Sequence, residues 1–311
     1  MHKKIIKIGL ILVLIITLTG CTKFLKDNEN KPVINELTGQ RLTENILCQP
    51  VQKDVIKLYK KSDYKINELP QCDDMKILDG GYEGIWTTIF VKPLAWIIIQ
   101  LGTFVKNYGL AIIIITLLIR IILLPITKKT ALQSENMKAA KPELDKLEKK
   151  YRGKNDQQHN QQKAQDMMMI YKKYKISPVS GCLFAIIQIP LFFAFYESLN
   201  RLPAVFEETF IGFQLGTSPW IGISGGHYQY LIIVILVIGA TYLSFKLNGA
   251  STGTAEQEKQ MKLMMNMMTI FISIASFTIS TGIAIYWIVN STFTIIQNLI
   301  VKRRKKNAES L

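Results

Sequence analysis

The sequence predicts an all-α, polytopic membrane protein with five transmembrane helices, an external amphipathic helix and a cytoplasmic two-helix hairpin. Three observations predict it. Apolar residues make up 49% of the 311-residue chain and are clumped rather than dispersed. Five apolar runs, at 109–127, 181–200, 229–247, 263–280 and 282–301, have about the 20-residue length a helix needs to cross a hydrocarbon core of about 30 Å. Lysine and arginine are crowded into alternate connections between those runs, as they are where connections stay in the cytoplasm.

The N-terminal residues 1–21 read as a secretory signal. Lys3, Lys4 and Lys7 precede an apolar stretch from Ile8 to Leu18, and Leu18-Thr19-Gly20-Cys21 follows. A basic start, a short apolar core and small residues before a cut are the parts of such a signal. Its ending resembles that of a bacterial lipoprotein, in which Cys21 would carry the acyl chains, palmitate among them. An uncleaved anchor helix is the alternative, and either places the following residues outside the cell.

Residues 22–84 form a small external segment, polar and weakly periodic, interrupted by Pro32, Pro50 and Pro70. This composition leads us to expect partial order at best. Cys48 and Cys72 share the segment and are candidates for a disulfide, although nothing in the sequence fixes their distance. Residues 85–108 form the external amphipathic, interfacial helix, starting near Lys92-Pro93 because proline suits a first helical turn. Leu94, Ile97, Ile98, Leu101, Phe104 and Val105 fall on one side of it, and Gln100, Thr103 and Asn107 on the other.

The five-span core covers 109–305, and the hairpin 128–175 lies within it. Met137, Leu144 and Tyr151 recur every seven residues with Ala140 and Leu147 between them. After a turn at 153–156, Ala164, Met167, Met168, Tyr171 and Tyr174 repeat the pattern, which predicts two antiparallel helices, kinked or broken near Pro142. This loop carries 13 basic against 6 acidic residues, and the C-terminal stretch 302–311, including the tail 306–311, carries five basic residues and Glu309. Residues 22–92 balance 11 of each sign. The expected topology is therefore an external, lipid-anchored N-terminus and a cytoplasmic C-terminus in a bacterial plasma membrane. The net charge of +15 is chiefly a topology signal, with anionic lipid and ribosomal RNA as secondary readings.

No enzymatic motif is present: there is no phosphate loop, no dinucleotide fingerprint and no Cys/His metal spacing. A non-enzyme without cofactor or metal is expected. Within the runs the only acid is Glu197, near the end of the second, and histidine is missing. Ion-coupled transport ordinarily needs such a group deep in a span. What is polar there is Thr116 and Arg120 in the first run, Gln188 in the second, and Asn290, Ser291, Thr294, Gln297 and Asn298 in the fifth, with Trp287 one turn above. Thr116 and Arg120 share a helix face, and the fifth-run residues follow a helical stripe. Three partly polar helices could enclose a wet cleft. Arg120 could instead snorkel to the headgroups, since Lys128 is only about 12 Å further along a helix. Methionine clusters at Met167, Met168 and Met169 and again at Met264, Met265, Met267 and Met268, both on the expected cytoplasmic side. Flexible thioethers suit surfaces that accept varied apolar partners, and ordinary helix packing explains them equally.

Four stretches carry a family resemblance: LLIRIILLPITKKTALQ (117–133), LEKKYRGK (147–154), MMMIYKKYKISPVSGCLFAIIQIPLFFAFYESL (167–199) and GIAIYWIVNSTFTIIQNLI (282–300). In this order they resemble the YidC/OxaA family of membrane protein insertases, of the Gram-positive lipoprotein type. The resemblance implies a positively charged groove open to the cytoplasm and to lipid but closed outside. It implies that Arg120 is the groove's essential arginine, with Gln188 and Trp287 beside it. It also implies nascent membrane proteins as substrates, with the Sec translocon and the ribosome as candidate partners and no role for DNA. A proline common before the last span in the family is Thr281 here. The competing class is an anion-selective channel or solute transporter lined by Arg120 and the fifth-run amides.

Overall fold

A computed structural model describes residues 23–309 except 63, 155, 178–179 and 249–254. The expected signal 1–21 with Cys21, one residue of the predicted 153–156 turn, and the last two residues of the tail lie outside the described residues. The protein is mostly helical. It divides into two compact units: one holds the described residues through Ile119 with Ile186–Val237 and Ser273–Asn290, and the other holds Arg120–Ala185, Ile238–Ile272 and Ser291–Leu311.

The first unit begins with residues 23–84, which fold around a small core. Strands β1 (Ile34–Asn35) and β2 (Gln40–Arg41) pair antiparallel, and helix α1 (Lys53–Lys61) follows. Leu25, Leu42, Ile46, Val55, Tyr59 and Ile66 bury this core together with Phe206, from a short helical turn far along the chain. A disulfide joins Cys48 to Cys72. The expectation of partial order therefore fails. A segment poor in apolar residues is completed by apolar and polar partners it could not supply itself. Among these, Ser218 donates its N–H to the Thr38 carbonyl and Leu47 donates to the Arg201 carbonyl. The Glu207 carboxylate accepts from the Val51 and Gln52 amides, just where α1 begins. Its burial raises its pKa, and those two amides oppose the rise.

A π-helical turn at Thr87–Val91 runs into α2 (Lys92–Val105), so helical structure starts before Lys92 rather than at it. The packed face of α2 is Leu94, Ala95, Ile98, Ile99 and Gly102, whereas Phe104, on the apolar side by periodicity, is 84% exposed. Both ends of α2 are held by residues 73–83. Lys92 Nζ donates to the carbonyls of Asp79 and Gly81 and pairs with Glu83 at 3.1 Å, and Thr103 and Tyr108 donate to Asp73.

Helix α3 (Tyr108–Ile122) and α4 (Leu124–Tyr151) meet at a 68° bend. The run 109–127 is thus not one straight helix. Pro125 has no N–H for the Ile121 carbonyl and disfavours helical geometry in the residue before it, so the helix restarts there. In the second unit, α4 and α5 (Gln157–Lys173) lie antiparallel. Lys150 and Tyr151 reach Asp166, and Lys173 and Tyr174 reach Glu143. Ala140, Leu144 and Ile176 form their core, against which Met137, Met167, Ile170, Tyr171 and Tyr174 pack. Helix α4 runs unbroken through Pro142. Ala164 and Met168 are exposed and Ile170 takes the inward position.

Helix α6 (Ser180–Asn200) leads to the short α7 (Pro203–Phe206), strands β3 (Thr209–Phe210) and β4 (Phe213–Gln214), and α8 (Pro219–Ser224). Helices α9 (Tyr230–Asn248), α10 (Ala255–Ala275) and α11 (Thr281–Glu309) follow. Helix α10 stops at Ala275 rather than 280, where the Ser276 and Thr278 hydroxyls bond carbonyls of its last turn. Thr281 gives both its N–H and its hydroxyl to the Thr217 carbonyl, a double bond to the loop that proline could not make. Among the described residues three helices are long and apolar enough to cross a membrane: Thr87–Val105, Tyr230–Leu247 and Thr281–Lys305. The bent pair α3 and α4 makes a fourth if counted as one.

Candidate substrate-handling site

A charged residue inside an apolar helix is tolerated when it faces protein or water rather than lipid. Helix α3 follows that rule. Thr116 and Arg120 are 1% and 2% exposed, while Leu117, Leu118, Ile121 and Ile122 point outward. Helix α11 repeats the arrangement: Asn290, Ser291, Thr294 and Gln297 are buried, and Ile296, Leu299 and Ile300 are exposed. Past their apolar first turns, where Ile112, Ile115, Ile283 and Ile285 are buried, both helices turn polar side chains inward and apolar ones outward, the reverse of a helix on a water-soluble protein. Arg120 is among the buried polar groups with partners of its own.

The candidate residues divide between the two units. In the first, Gln188 donates its amide to the Tyr286 hydroxyl at 3.4 Å. Phe192 meets the Trp287 ring edge-on at 5.3 Å, and Thr116 bonds back to the Ile112 carbonyl. In the second, Thr127 on α4 donates its hydroxyl to Gln297 Oε1 on α11 at 3.1 Å, with both side chains buried. Thr127 was not singled out from the sequence. Its signal is a lone hydroxyl two residues after Pro125, one helical face away from the basic pair Lys128-Lys129.

The methionines separate by role. Met167 packs into the α4–α5 core, whereas Met168, Met169, Met264, Met267 and Met268 are exposed and Met265 is half-buried. Between α4 and α5 lies an open groove of about 430 Å³ lined by apolar Leu147, Met169 and Ile170 and by charged Glu143, Lys146, Lys150, Asp166 and Lys173. Bonds from Lys173 and Tyr174 hold the Glu143 carboxyl below its ordinary range, and those from Lys150 and Tyr151 do the same for Asp166.

A second polar cluster in the first unit was not singled out from the sequence, in which Glu197 stands only as the one acid near the end of the second run and Lys92 as the expected start of a helix. Arg201 is fully buried. It donates through Nη2 to Glu83 at 2.6 Å and through Nε to the Asn45 carbonyl. Glu83 also pairs with buried Lys92, and the Trp86 indole donates to Glu197 at 3.0 Å. Among the described residues no group of His, Cys, Asp and Glu could hold a metal ion.

Buried polar stripes on lipid-compatible helices define a polytopic membrane protein. The family model described as 60Kd inner membrane protein matches residues 100–309. The membrane protein insertase YidC of Oceanobacillus iheyensis is 33% identical over 226 residues, covering 71% of this chain and 85% of that one. YidC 2 of Bacillus anthracis is 36% identical over 220 residues (70% and 82%), and the insertase MisCA of Bacillus subtilis 34% over 227 residues (72% and 82%). A crystal structure of an active YidC insertase aligns at a TM-score of 0.46 and 21% identity, covering 79% of this chain and 52% of that one. The chain belongs to the YidC/OxaA family of membrane protein insertases.

Proposed function

We propose that this chain inserts nascent membrane proteins and helps them fold through a hydrophilic, cytoplasm-open groove bearing Arg120, alone or with the Sec translocon. The observation that carries the reading is the burial of Arg120 on a helix whose other faces are apolar and exposed. A central arginine costs about 2.5–3.5 kcal/mol on insertion scales, and this chain keeps it on the inward face. Ser291, Thr294 and Gln297, in the same unit, are the polar lining proposed with it; Gln188 and Trp287 join them on the strength of the resemblance, and Thr116 and Asn290 on the helical faces they share in the sequence. The exposed methionines of α5 and α10 would receive an emerging apolar segment. Arg120 would hold acidic residues of its short external tail. Transfer of the new span into lipid, at about 25 cal/mol per Å² of apolar surface, would drive the process.

Five spans, a lipidated Cys21 outside and a cytoplasmic hairpin and tail complete the proposed topology, with anionic lipid and the ribosome as candidate contacts of the basic surfaces. In this topology α2 lies on the outer surface although its composition would let it cross. Lys92 and Thr103 are about 16 Å apart along the helix, yet residues 73–83 bond to both. A crossing α2 would carry Asp73, Asp74, Lys76 and Asp79 into hydrocarbon, which is costlier than laying the helix in the interface.

The test is the purified protein alone in liposomes. A single-span substrate with an acidic external tail is expected to insert, and Arg120→Ala to slow it while Arg120→Lys keeps part of the rate. Normal insertion of every such substrate by Arg120→Ala would refute the groove charge. Rapid anion flux without insertion would favour a channel.

A further inference from the structure

The loop between α6 and α9 holds a feature that insertion does not use. Strands β3 and β4 pair Thr209 with Gln214 and Phe210 with Phe213, leaving a two-residue loop of Ile211 and Gly212. Both have positive φ, 50° and 79°, as the tight hairpin loops that match strand twist require. Glycine adopts that backbone freely, but for a β-branched residue it is a genuine outlier that costs free energy. In water, asparagine, aspartate or glycine would fill the position. Here an isoleucine fills it and is 77% exposed.

The hairpin's place is fixed from both strands. Phe210 lies over Gly109 so closely that a Cβ there would meet its ring at 2.3 Å. Phe213 meets the Tyr230 ring edge-on at 5.2 Å, and the Gln214 N–H donates to the Tyr230 hydroxyl. Gly109 and Tyr230 stand in the first turns of α3 and α9, where the outward side chains are Leu110, Leu231 and Ile232. The six residues Thr209–Gln214 carry no charge. Exposed Tyr228, beside Tyr230, adds an aromatic ring of the kind that settles among lipid headgroups.

We propose that the β3–β4 hairpin is a membrane wedge whose tip, Ile211, is seated in the outer leaflet beside the first turns of α3 and α9. Lipid is the occupant because the apolar tip is continuous with the apolar outer faces of two helices. Removing the isoleucine side chain from water offsets the strained backbone. The inference rests on the proposed membrane topology.

The test uses the full chain in phosphatidylethanolamine/phosphatidylglycerol vesicles, with an environment-sensitive fluorescent amino acid placed in turn at Ile211, Leu37 and Ile235. Leu37 is an exposed site on the external segment, and Ile235 an exposed site on α9. At position 211 iodide quenching is expected to be several-fold weaker than at 37, and a shallow doxyl-lipid is expected to quench. Iodide quenching at 211 equal to that at 37, with doxyl quenching at 235 intact, overturns the wedge and leaves the topology standing. Shielding from iodide without doxyl quenching at 211 overturns it in favour of a protein partner or a second copy. No doxyl quenching at 235 overturns the membrane topology itself.

Discussion

Thr127 Oγ1 on α4 and Gln297 Oε1 on α11 are 3.1 Å apart, both buried, one turn beyond the 68° bend that separates α3 from α4. The Leu123 carbonyl at that bend lies at the same 3.1 Å from the hydroxyl, so the hydroxyl's one proton is shared between its own helix and α11. Thr127→Val keeps the shape and removes the bond. Hydrogen bonds between membrane helices average about 0.6 kcal/mol and reach about 1.7, so a loss in that range is expected in detergent unfolding. Thr127→Val combined with Gln297→Leu should recover most of it, because no buried amide is then left unpaired. Additive losses in the double mutant would show that the pair does not couple.

Arg201 gives a larger effect. It is fully buried, and its guanidinium is held by Glu83, which also pairs with buried Lys92. Glu83→Ala leaves two buried cations without their shared carboxylate. Removing one partner of a buried pair costs about 3–5 kcal/mol, so the thermal midpoint should fall well below that of Thr127→Val. Arg201→Met, of similar length and apolar, should cost less than Glu83→Ala. The reverse order in calorimetry would mean that packing, not charge, holds the cluster.

Legibility from sequence followed the range of the interactions. The inward stripe of Asn290, Ser291, Thr294 and Gln297 and the α4 core residues Ala140, Leu144 and Leu147 were readable because helical periodicity is local. The order of residues 23–84 was not, because it depends on partners such as Arg201, 156 residues from the Asn45 carbonyl it holds. Periodicity puts Phe104 on the apolar side of α2 but does not say which part of that side the protein covers; the covered part is Leu94, Ala95, Ile98, Ile99 and Gly102, and Phe104 lies beyond it. The bend at Leu123 was present in the sequence as Pro125, but the apolar run around it read as continuous.

The pairing of α4 with α5 should depend on pH. Glu143 and Asp166 have pKa values lowered by their bonds to Lys173 and Tyr174 and to Lys150 and Tyr151. A depressed folded-state pKa contributes stability that is full above the unfolded values, about 4.5 and 3.8, and is lost as pH falls through the folded ones. Spin labels at Lys149 and Gln165 should give a narrow distance distribution at neutral pH and a broad one once both carboxyls are protonated. Glu143→Gln with Asp166→Asn should broaden it at neutral pH. If the distribution stays narrow in acid, the apolar core alone sets the pairing.

The disulfide closes a loop with a sequence separation of 24, for which the chain-entropy argument gives about 3 kcal/mol. Cys48→Ser with Cys72→Ser should therefore loosen the N-terminal segment that holds both cysteines. Faster amide exchange is expected in α1 and around Leu47, whose N–H bonds the Arg201 carbonyl, and unchanged exchange in α5. Unchanged exchange in α1 would mean that the contacts with Phe206, Glu207 and Arg201 hold the segment without the crosslink.

Ile211 turns the usual effect of glycine around. A glycine ordinarily costs about 0.5–1 kcal/mol through the greater freedom of the unfolded chain. At φ 50° it also removes backbone strain of about 1–3 kcal/mol, and Ile211 makes little packing to lose because it is exposed. The strain relief is the larger quantity. Ile211→Gly should raise the thermal midpoint in a mild detergent, whereas Gly212→Val, which puts a second β-branched residue at positive φ, should lower it. In vesicles the gain from Ile211→Gly should shrink, because lipid contact with the isoleucine is lost as the strain is relieved. An equal gain in detergent and in vesicles would mean that the tip meets no bilayer.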